Sequence, residues 1–335
     1  MAGTPTAGDT GRGLRLAVTL GDPRGIGPEV AAAAARHARS LPAPPALVFV
    51  GPHGTVADAV EGLEFHAVGR WDGSGDPADA GALAGRAIEA AAEMALAGAV
   101  DAVVTAPIDK AALHAAGYRY PGHTEMLAAL AGRRRGAGPV PVAMMMVAEE
   151  TALGGPLRVV LATTHLALRA VPDALSVPLL VEQARLAADG LRRGWRIDRP
   201  RIALCAVNPH ASDGGLFGDE EARLLAPARD TLRDAGIDAV GPVPADTVFV
   251  RAVRGEFDAV VAPYHDVGMA AFKTAAFGSG VNLTLGLPFI RTSPDHGTAL
   301  DIAGRGLADP ASMIEAMTLA ARLARHGAAA PTSEA

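Results

Sequence analysis

Residues 157–165 read Leu157-Arg-Val-Val-Leu-Ala-Thr-Thr-His165, and this stretch decides the fold. Its aliphatic and β-branched residues, bounded by polar ends, predict a buried strand over Leu157 to Thr163, of the kind found in parallel sheets. Two later stretches share the pattern: Arg201-Ile-Ala-Leu-Cys-Ala-Val-Asn-Pro-His210 and Phe257-Asp-Ala-Val-Val-Ala-Pro-Tyr-His265. Each ends on a histidine. In an open α/β sheet, ligands bind outside the carboxyl ends of the strands. His165, His210 and His265 are therefore expected to converge at one sheet edge. Neutral imidazole is a common ligand for zinc and its neighbours. Three unrelated loop histidines are the alternative. Three equivalent positions favour a metal or substrate site over it.

Working outward, strand-like runs alternate with Ala- and Leu-rich helical stretches. Strands are predicted at Leu14–Leu20, Ala46–Gly51, Val100–Thr105, Ile202–Val207 and Ala259–Ala262. Helices are predicted at Pro28–His37, Gly81–Ala97, Pro178–Arg192, Glu220–Ala235 and Pro310–His326. That alternation means an α/β protein with mainly parallel pairing. No internal repeat is visible. A Gly- and Arg-rich pause at Ala131–Pro141 marks a crossing between domains.

The chain has 335 residues and a formal net charge of −6. That size buries one large or two medium cores. The charge and the scattered basic residues exclude a general nucleic-acid footprint. Arg133-Arg134-Arg135 reads as a solvated helix end. A single cysteine, Cys205, excludes an internal disulfide and reads as a small core residue. No apolar stretch reaches membrane-spanning length uninterrupted, and no signal core is visible at the start. A soluble, cytoplasmic protein is expected, with flexible tails at 1–13 and 328–335. Of thirty basic residues only two are lysines, Lys110 and Lys273. Arginine cannot replace an ammonium that must be compact or must deprotonate. Both lysines are therefore candidates for chemistry.

No Gly-x-Gly-x-x-Gly opens a helix after a strand, so the usual dinucleotide fingerprint is absent. Gly21-Asp-Pro-Arg-Gly-Ile-Gly-Pro-Glu29 is either a structural turn or an anion-holding helix start. Pro121-Gly-His-Thr-Glu125 offers His123 and Thr124 to a phosphate or carboxylate. The same Gly-His-Thr also occurs as ordinary helix capping. After His210, the paired Gly214 and Gly215 make a loop able to close on a ligand. Glu220 and Glu221 begin a helix, where their charge suits the dipole. Asp246 is a general base or an N-cap. The densest segment runs from Tyr264 to Gly306. It holds Lys273, Asn282, Arg291 and Asp295-His-Gly-Thr-Ala-Leu-Asp-Ile-Ala-Gly304. Lys273 and Arg291 would supply positive charge for an anionic substrate, and Asn282 both a donor and an acceptor.

These motifs together resemble the 4-hydroxythreonine-4-phosphate dehydrogenase family of vitamin B6 biosynthesis. The resemblance runs from Gly21-Asp-Pro to Met317. It rests on Gly-Asp-Pro-x-Gly-Ile-Gly-Pro-Glu, Gly-His-Thr-Glu, Asn-Pro-His-Ala, Tyr-His-Asp and Gly-Leu-Pro-Phe-Ile-Arg-Thr-Ser. The segment from Asp295 to Gly304 also resembles the one with which isopropylmalate and isocitrate dehydrogenases hold the adenosine of NAD. The implied fold is isopropylmalate-dehydrogenase-like: two α/β subdomains, a mainly parallel sheet and a cleft between them. Residues 14–120 plus 292–327 would form the first subdomain and 121–291 the second.

The resemblance also implies roles. His165, His210 and His265 match metal ligands, the metal being zinc, cobalt, manganese or magnesium. His123, Thr124, Lys273, Asn282 and Arg291 match substrate-binding positions. His296, Gly297, Thr298 and Asp301 would lie near NAD, or NADP. The family works as a homodimer, with His265 serving the partner's metal. The implied reaction oxidises the C3 hydroxyl of 4-phosphohydroxy-L-threonine and then decarboxylates, giving 3-amino-2-oxopropyl phosphate. Asp246 or Lys110 would accept the proton. A sister dehydrogenase acting on 4-phosphothreonate or 4-phosphoerythronate would need the same anion clamps. A metal-dependent hydrolase using the histidines and a phosphate-binding acyl or phosphoryl transferase are the more distant readings. Two positions depart from the family pattern. Val267 stands where glutamine usually precedes Gly268, and Arg24 where a small residue is usual.

Overall fold

Aliphatic runs become strands here because burial on both faces repays the cost of ordering them. In the computed structural model, which describes residues 13–327, eleven strands form one sheet. They are β1 (Arg15–Thr19), β2 (Ala46–His53), β3 (Glu64–Arg70), β4 (Ala102–Thr105), β5 (Ala143–Ala148), β6 (Leu157–Leu161), β7 (Arg201–Cys205), β8 (Asp238–Val243), β9 (Ala259–Ala262), β10 (Val281–Leu285) and β11 (Ile290–Pro294). The helices are α1 (Gly27–Arg39), α2 (Pro77–Leu96), α3 (Lys110–Ala115), α4 (His123–Arg134), α5 (Val171–Ala174), α6 (Val177–Trp195), α7 (Ala226–Asp234), α8 (Ala245–Val253), α9 (His265–Ala276) and α10 (Ala311–Arg325). No described helix is long and apolar enough to cross a membrane. The expected tails lie outside the described residues, Gly13 excepted.

The strand order is β3-β2-β1-β4-β11-β10-β5-β6-β9-β7-β8. Pairing is parallel except at β11–β10, β10–β5 and β5–β6. Two parallel halves thus meet through a short antiparallel centre. The α/β, mainly parallel expectation is borne out. The apolar run Leu283–Ile290 is a hairpin rather than one element: it leaves β10, turns, and enters β11. β11 then pairs in parallel with β4, which sets Arg291 opposite Val103. The Ala131–Pro141 pause is the end of α4 and the connection into β5. Its three arginines are exposed, as a solvated helix end requires. Cys205 is buried in β7, and burial pushes its thiol pKa up to about 12.

One face of the sheet is covered continuously by α1, α10, α6 and α7, whose apolar residues join one core cluster. The other face is covered in two separate patches. Residues of α2 and α4 pack over β1, β2 and β4. Those of α8 and α9 pack over β6, β7 and β9. The gap between the patches leaves side chains of the central strands uncovered, and the candidate site lies there.

Candidate functional site

A cavity of about 290 Å³ occupies the gap. Its floor is the sheet: Thr105 of β4, Met144 and Met146 of β5, Asn282 of β10, and Arg291 and Ser293 of β11. Its walls are the starts of α3, α4 and α9, bringing Lys110, His123, Thr124, Glu125 and His265, together with His165, His296 and Gly297 from loops. Seven sequence-separated segments therefore meet because strand ends and helix starts share one edge.

Arg291 is the centre of this floor. It is 2% exposed, yet no described carboxylate lies within ion-pair distance. Its Nη2 and Nε donate to Thr105 Oγ1 at 2.6 and 3.1 Å, and its Nη1 donates to Thr284 Oγ1 at 3.1 Å. Burial lowers its pKa to about 10, which still leaves a cation at neutral pH. Glu125 of the same cavity acts on it only through space, and a buried charge without a directly paired counter-ion is costly, so a site that keeps one is built for an anion. Three other buried polar atoms on this wall have no partner: His123 Nε2, Asn282 Oδ1 and His296 Nε2. Burial first, then the charges of Arg291 and Lys110, hold the His123 pKa well below its usual range. Thr124 is buried in the first turn of α4, whose N-cap Gly122 makes no side-chain cap bond.

His165 and His265 are positioned by their strands. Thr163 Oγ1 donates to the Pro263 carbonyl at 2.8 Å, and Ala162 N–H to the Ala262 carbonyl at 2.9 Å. These bonds lace the ends of β6 and β9 together. Two residues beyond Thr163 and Pro263, the imidazole centroids of His165 and His265 stand 5.7 Å apart. His265 opens α9, with Nδ1 2.7 Å from Asp266 Oδ1. Burial, then the charges of Lys110 and His265, depress the His165 pKa and favour its neutral, ligating form. Two imidazoles side by side fit a divalent transition metal.

His210 stands apart. Its strand, β7, is next to β9, so the strand-end reasoning holds for the strands. The chain then turns through a left-handed loop, and His210 is exposed, off the cavity wall. Among the described residues no group of three metal-binding side chains converges. Within one chain His265 meets His165, and His210 is the histidine left outside.

The remaining candidates divide likewise. Lys110 is on the wall, exposed at the start of α3. Asp246 is exposed in the first turn of α8 and is no cap, since Pro244 occupies that position. Lys273 is tied to Asp295, donating to Oδ2 at 2.6 Å and to the backbone carbonyl at 3.1 Å, and Asp295 in turn lines the cavity. Thr298 accepts from Ile26 N–H at 2.9 Å. Gly25 packs so closely there that a Cβ would fall 2.7 Å from the Thr298 carbonyl oxygen. The loop before α1 and the Asp295–Gly304 segment therefore form one structure. Beside it lies a second cavity of about 330 Å³, lined by Arg24, Gly25, Glu29, Thr55, Trp71 and Gly304 among others. Glu29 Oε1 and Thr55 Oγ1 are buried there without partners. Asp301 lines neither cavity.

A sequence profile described as Pyridoxal phosphate biosynthetic protein PdxA matches residues 32–320. The 4-hydroxythreonine-4-phosphate dehydrogenase of Methylorubrum populi is 44% identical, covering 93% of this chain and 95% of that protein. That of Paracoccus denitrificans is also 44% identical, covering 92% and 97%. A crystal structure of 4-hydroxythreonine-4-phosphate dehydrogenase from Klebsiella pneumoniae superposes with a TM-score of 0.79 at 39% identity, covering 93% and 100%. The chain belongs to this PdxA family. It is accordingly an oxidoreductase.

The two departures from the family pattern have local accounts. Arg24 donates to Asp22 Oδ2 at 2.7 Å and to Asp109 Oδ2 at 3.2 Å. Asp109 is the N-cap of α3, accepting from Ala111 and Ala112 N–H. Arg24 thus braces the helix that presents Lys110. Val267 packs against the α8–α9 core cluster. Sequence reasoning missed Thr105 and Thr284, which hold the Arg291 guanidinium, and Met144 and Met146 of the floor. Thr105 ends an apolar run and offers no signal of its own; only pairing between β11 and β4 brings it to Arg291. Glu221 heads the helical turn Glu221–Leu225 that leads into α7, as its charge suits, but it is also buried and hydrogen-bonded, 4% exposed, which the sequence does not announce.

Proposed function

We propose that this PdxA-family chain carries out the NAD- and divalent-metal-dependent oxidation of 4-phosphohydroxy-L-threonine at its C3 hydroxyl. Decarboxylation to 3-amino-2-oxopropyl phosphate follows, within pyridoxal phosphate biosynthesis. The observation that carries this reading is Arg291, a buried cation on the cavity floor with no carboxylate partner. Arg291 binds the substrate's anionic end, with His123 and Thr124 beside it. Asn282 Oδ1, a buried acceptor without a donor, suits the substrate ammonium. This supports the amino substrate over 4-phosphothreonate and 4-phosphoerythronate, which lack the ammonium group. Of the two proton acceptors considered, Lys110 lines the cavity and Asp246 does not, which favours Lys110.

His165 and His265 hold the metal, with His210 as the third imidazole. When bound, the metal supplies Lewis-acid polarisation of the oxygen at the reacting carbon. The cavity against Gly25 and Gly304, with His296, Gly297 and Thr298 beside it, holds the dinucleotide, which supplies the hydride acceptor. His210 reaches the pair from a second copy of the chain. Exposed apolar side chains support that reading on both sides. Leu166 (48% exposed) and Leu168 (68%) follow His165, and Leu216 (77%) and Phe217 (49%) follow His210. The protein then works as a homodimer, and its one buried cysteine suits a reducing cytoplasm.

Purified protein with NAD and a panel of 4-phosphorylated hydroxy acids, with and without chelator, tests this by NADH absorbance. NADH formation from the amino substrate, abolished by chelator, is expected. Turnover of 4-phosphothreonate alone would replace this substrate by the sister one. Arg291→Lys keeps the charge and loses the planar fork, so kcat/KM should fall about 100-fold or more, mostly through KM.

A further inference from the structure

The loop from Pro209 to Gly215 carries an unusual backbone. His210, Ala211, Ser212 and Asp213 have φ of 52, 57, 69 and 44° in succession, and none is glycine. L-residues avoid this left-handed region, and a run of four persists only where its surroundings over-determine it. One side chain supplies that constraint. Glu221 Oε1 accepts from the N–H of Val207 at 2.8 Å and of Asn208 at 2.7 Å. Its Oε2 accepts from Asn208 Nδ2 at 2.9 Å and from the Ser212 hydroxyl. A single buried carboxylate therefore grips the chain at 207, 208 and 212, on both sides of His210. All four donors are neutral. Asn208 is held further by Glu220 Oε2 at 2.7 Å.

We propose that Glu221 is the positioning residue for His210. It touches no reacting atom. It holds the left-handed turn that aims the imidazole, as outer groups orient the ligands of metal sites. The inference rests on the reading of His210 as a metal ligand.

The test is Zn²⁺ affinity of the full-length protein, measured by competition with a chromogenic chelator. The variants are Glu221→Gln, His210→Ala and the double substitution. Glu221→Gln keeps the shape and turns one acceptor oxygen into a donor facing Asn208 Nδ2. Expected is a loss of about 10- to 100-fold in Zn²⁺ affinity, a comparable or larger loss for His210→Ala, and no further loss in the double variant. Wild-type affinity for Glu221→Gln beside a weakened His210→Ala overturns the positioning role, as do losses that add in the double variant. Unchanged affinity for His210→Ala overturns the ligand reading beneath it. Should Glu221→Gln fail to fold, Ser212→Ala removes one grip and leaves the carboxylate. It is expected to give a smaller loss that vanishes in the His210→Ala background; a loss that persists there overturns the proposal.

Discussion

At the scale of residues, the site is built from groups whose ordinary satisfaction has been withheld. Arg291 has hydroxyls but no carboxylate, and His123 Nε2 has no partner. His123 also makes a testable contribution to acid sensitivity. Its folded pKa lies well below the ordinary 6.5, through burial and then the nearby cations. The unfolded chain therefore binds a proton here, below about pH 6.5, that the folded one refuses. Stability from this group is complete above that pH and is lost as pH falls, by up to about 1.4 kcal/mol per unit. Urea unfolding at pH 7.5 and 5.5 should show a shallower acid loss for His123→Gln than for wild type. Equal losses in the two proteins would remove His123 from the acid response. These residues were legible as candidates because Gly-His-Thr and the isolated Arg291 stand out in apolar surroundings. Their partners were not. Thr105 lies 186 positions from Arg291, and a threonine closing a strand looks the same whether or not it holds a guanidinium.

At the scale of elements, the longer aliphatic strands and the long Ala- and Leu-rich helices were readable, whereas β3, β5, β8, the β10–β11 hairpin and the shorter helices were not. β5 is Ala-Met-Met-Met-Val-Ala, and unbranched methionine gives little strand signal. α9 begins on His265, with only Pro263 and Tyr264 between it and β9, so little connecting loop announces it. Its seating against the sheet depends on Gly268. A Cβ there would lie 2.6 Å from Leu161 Cδ2 and 3.0 Å from Ala262 Cβ and Val159 Cγ1. Gly268→Ala should therefore lift α9 and cost roughly 1–3 kcal/mol, as overpacking does. His265 would move with the helix, so metal affinity should fall together with the urea midpoint. A variant with wild-type midpoint and affinity would mean that Leu161 simply yields.

At the scale of the whole molecule, the division of the histidines governs how the site closes. If His165 and His265 of one copy take His210 from another, two dead variants rescue each other. His165→Ala and His210→Ala, unfolded together and refolded as a mixture, should recover activity that neither has alone. In the mixed dimer one of the two sites carries both wild-type groups. Mixtures as inactive as the single variants would place His210 in the same chain's site, reached by movement of the Pro209–Gly215 loop.

The sequence by itself determined the α/β class, the parallel strands and most of the chemistry-bearing residues. Hydrophobic runs and rare residue types are local, and they survive in one dimension. Tertiary structure alone decided that β11 returns to β4, that the helices leave a gap on one sheet face, and that Arg291 lies there without an ion-pair partner. It also decided that His210, five residues past the end of β7 where His165 and His265 lie four and three past theirs, turns away from that pair. The reason is that backbone hand and burial are set by partners such as Glu221, whose effect exists only once the chain has folded around them.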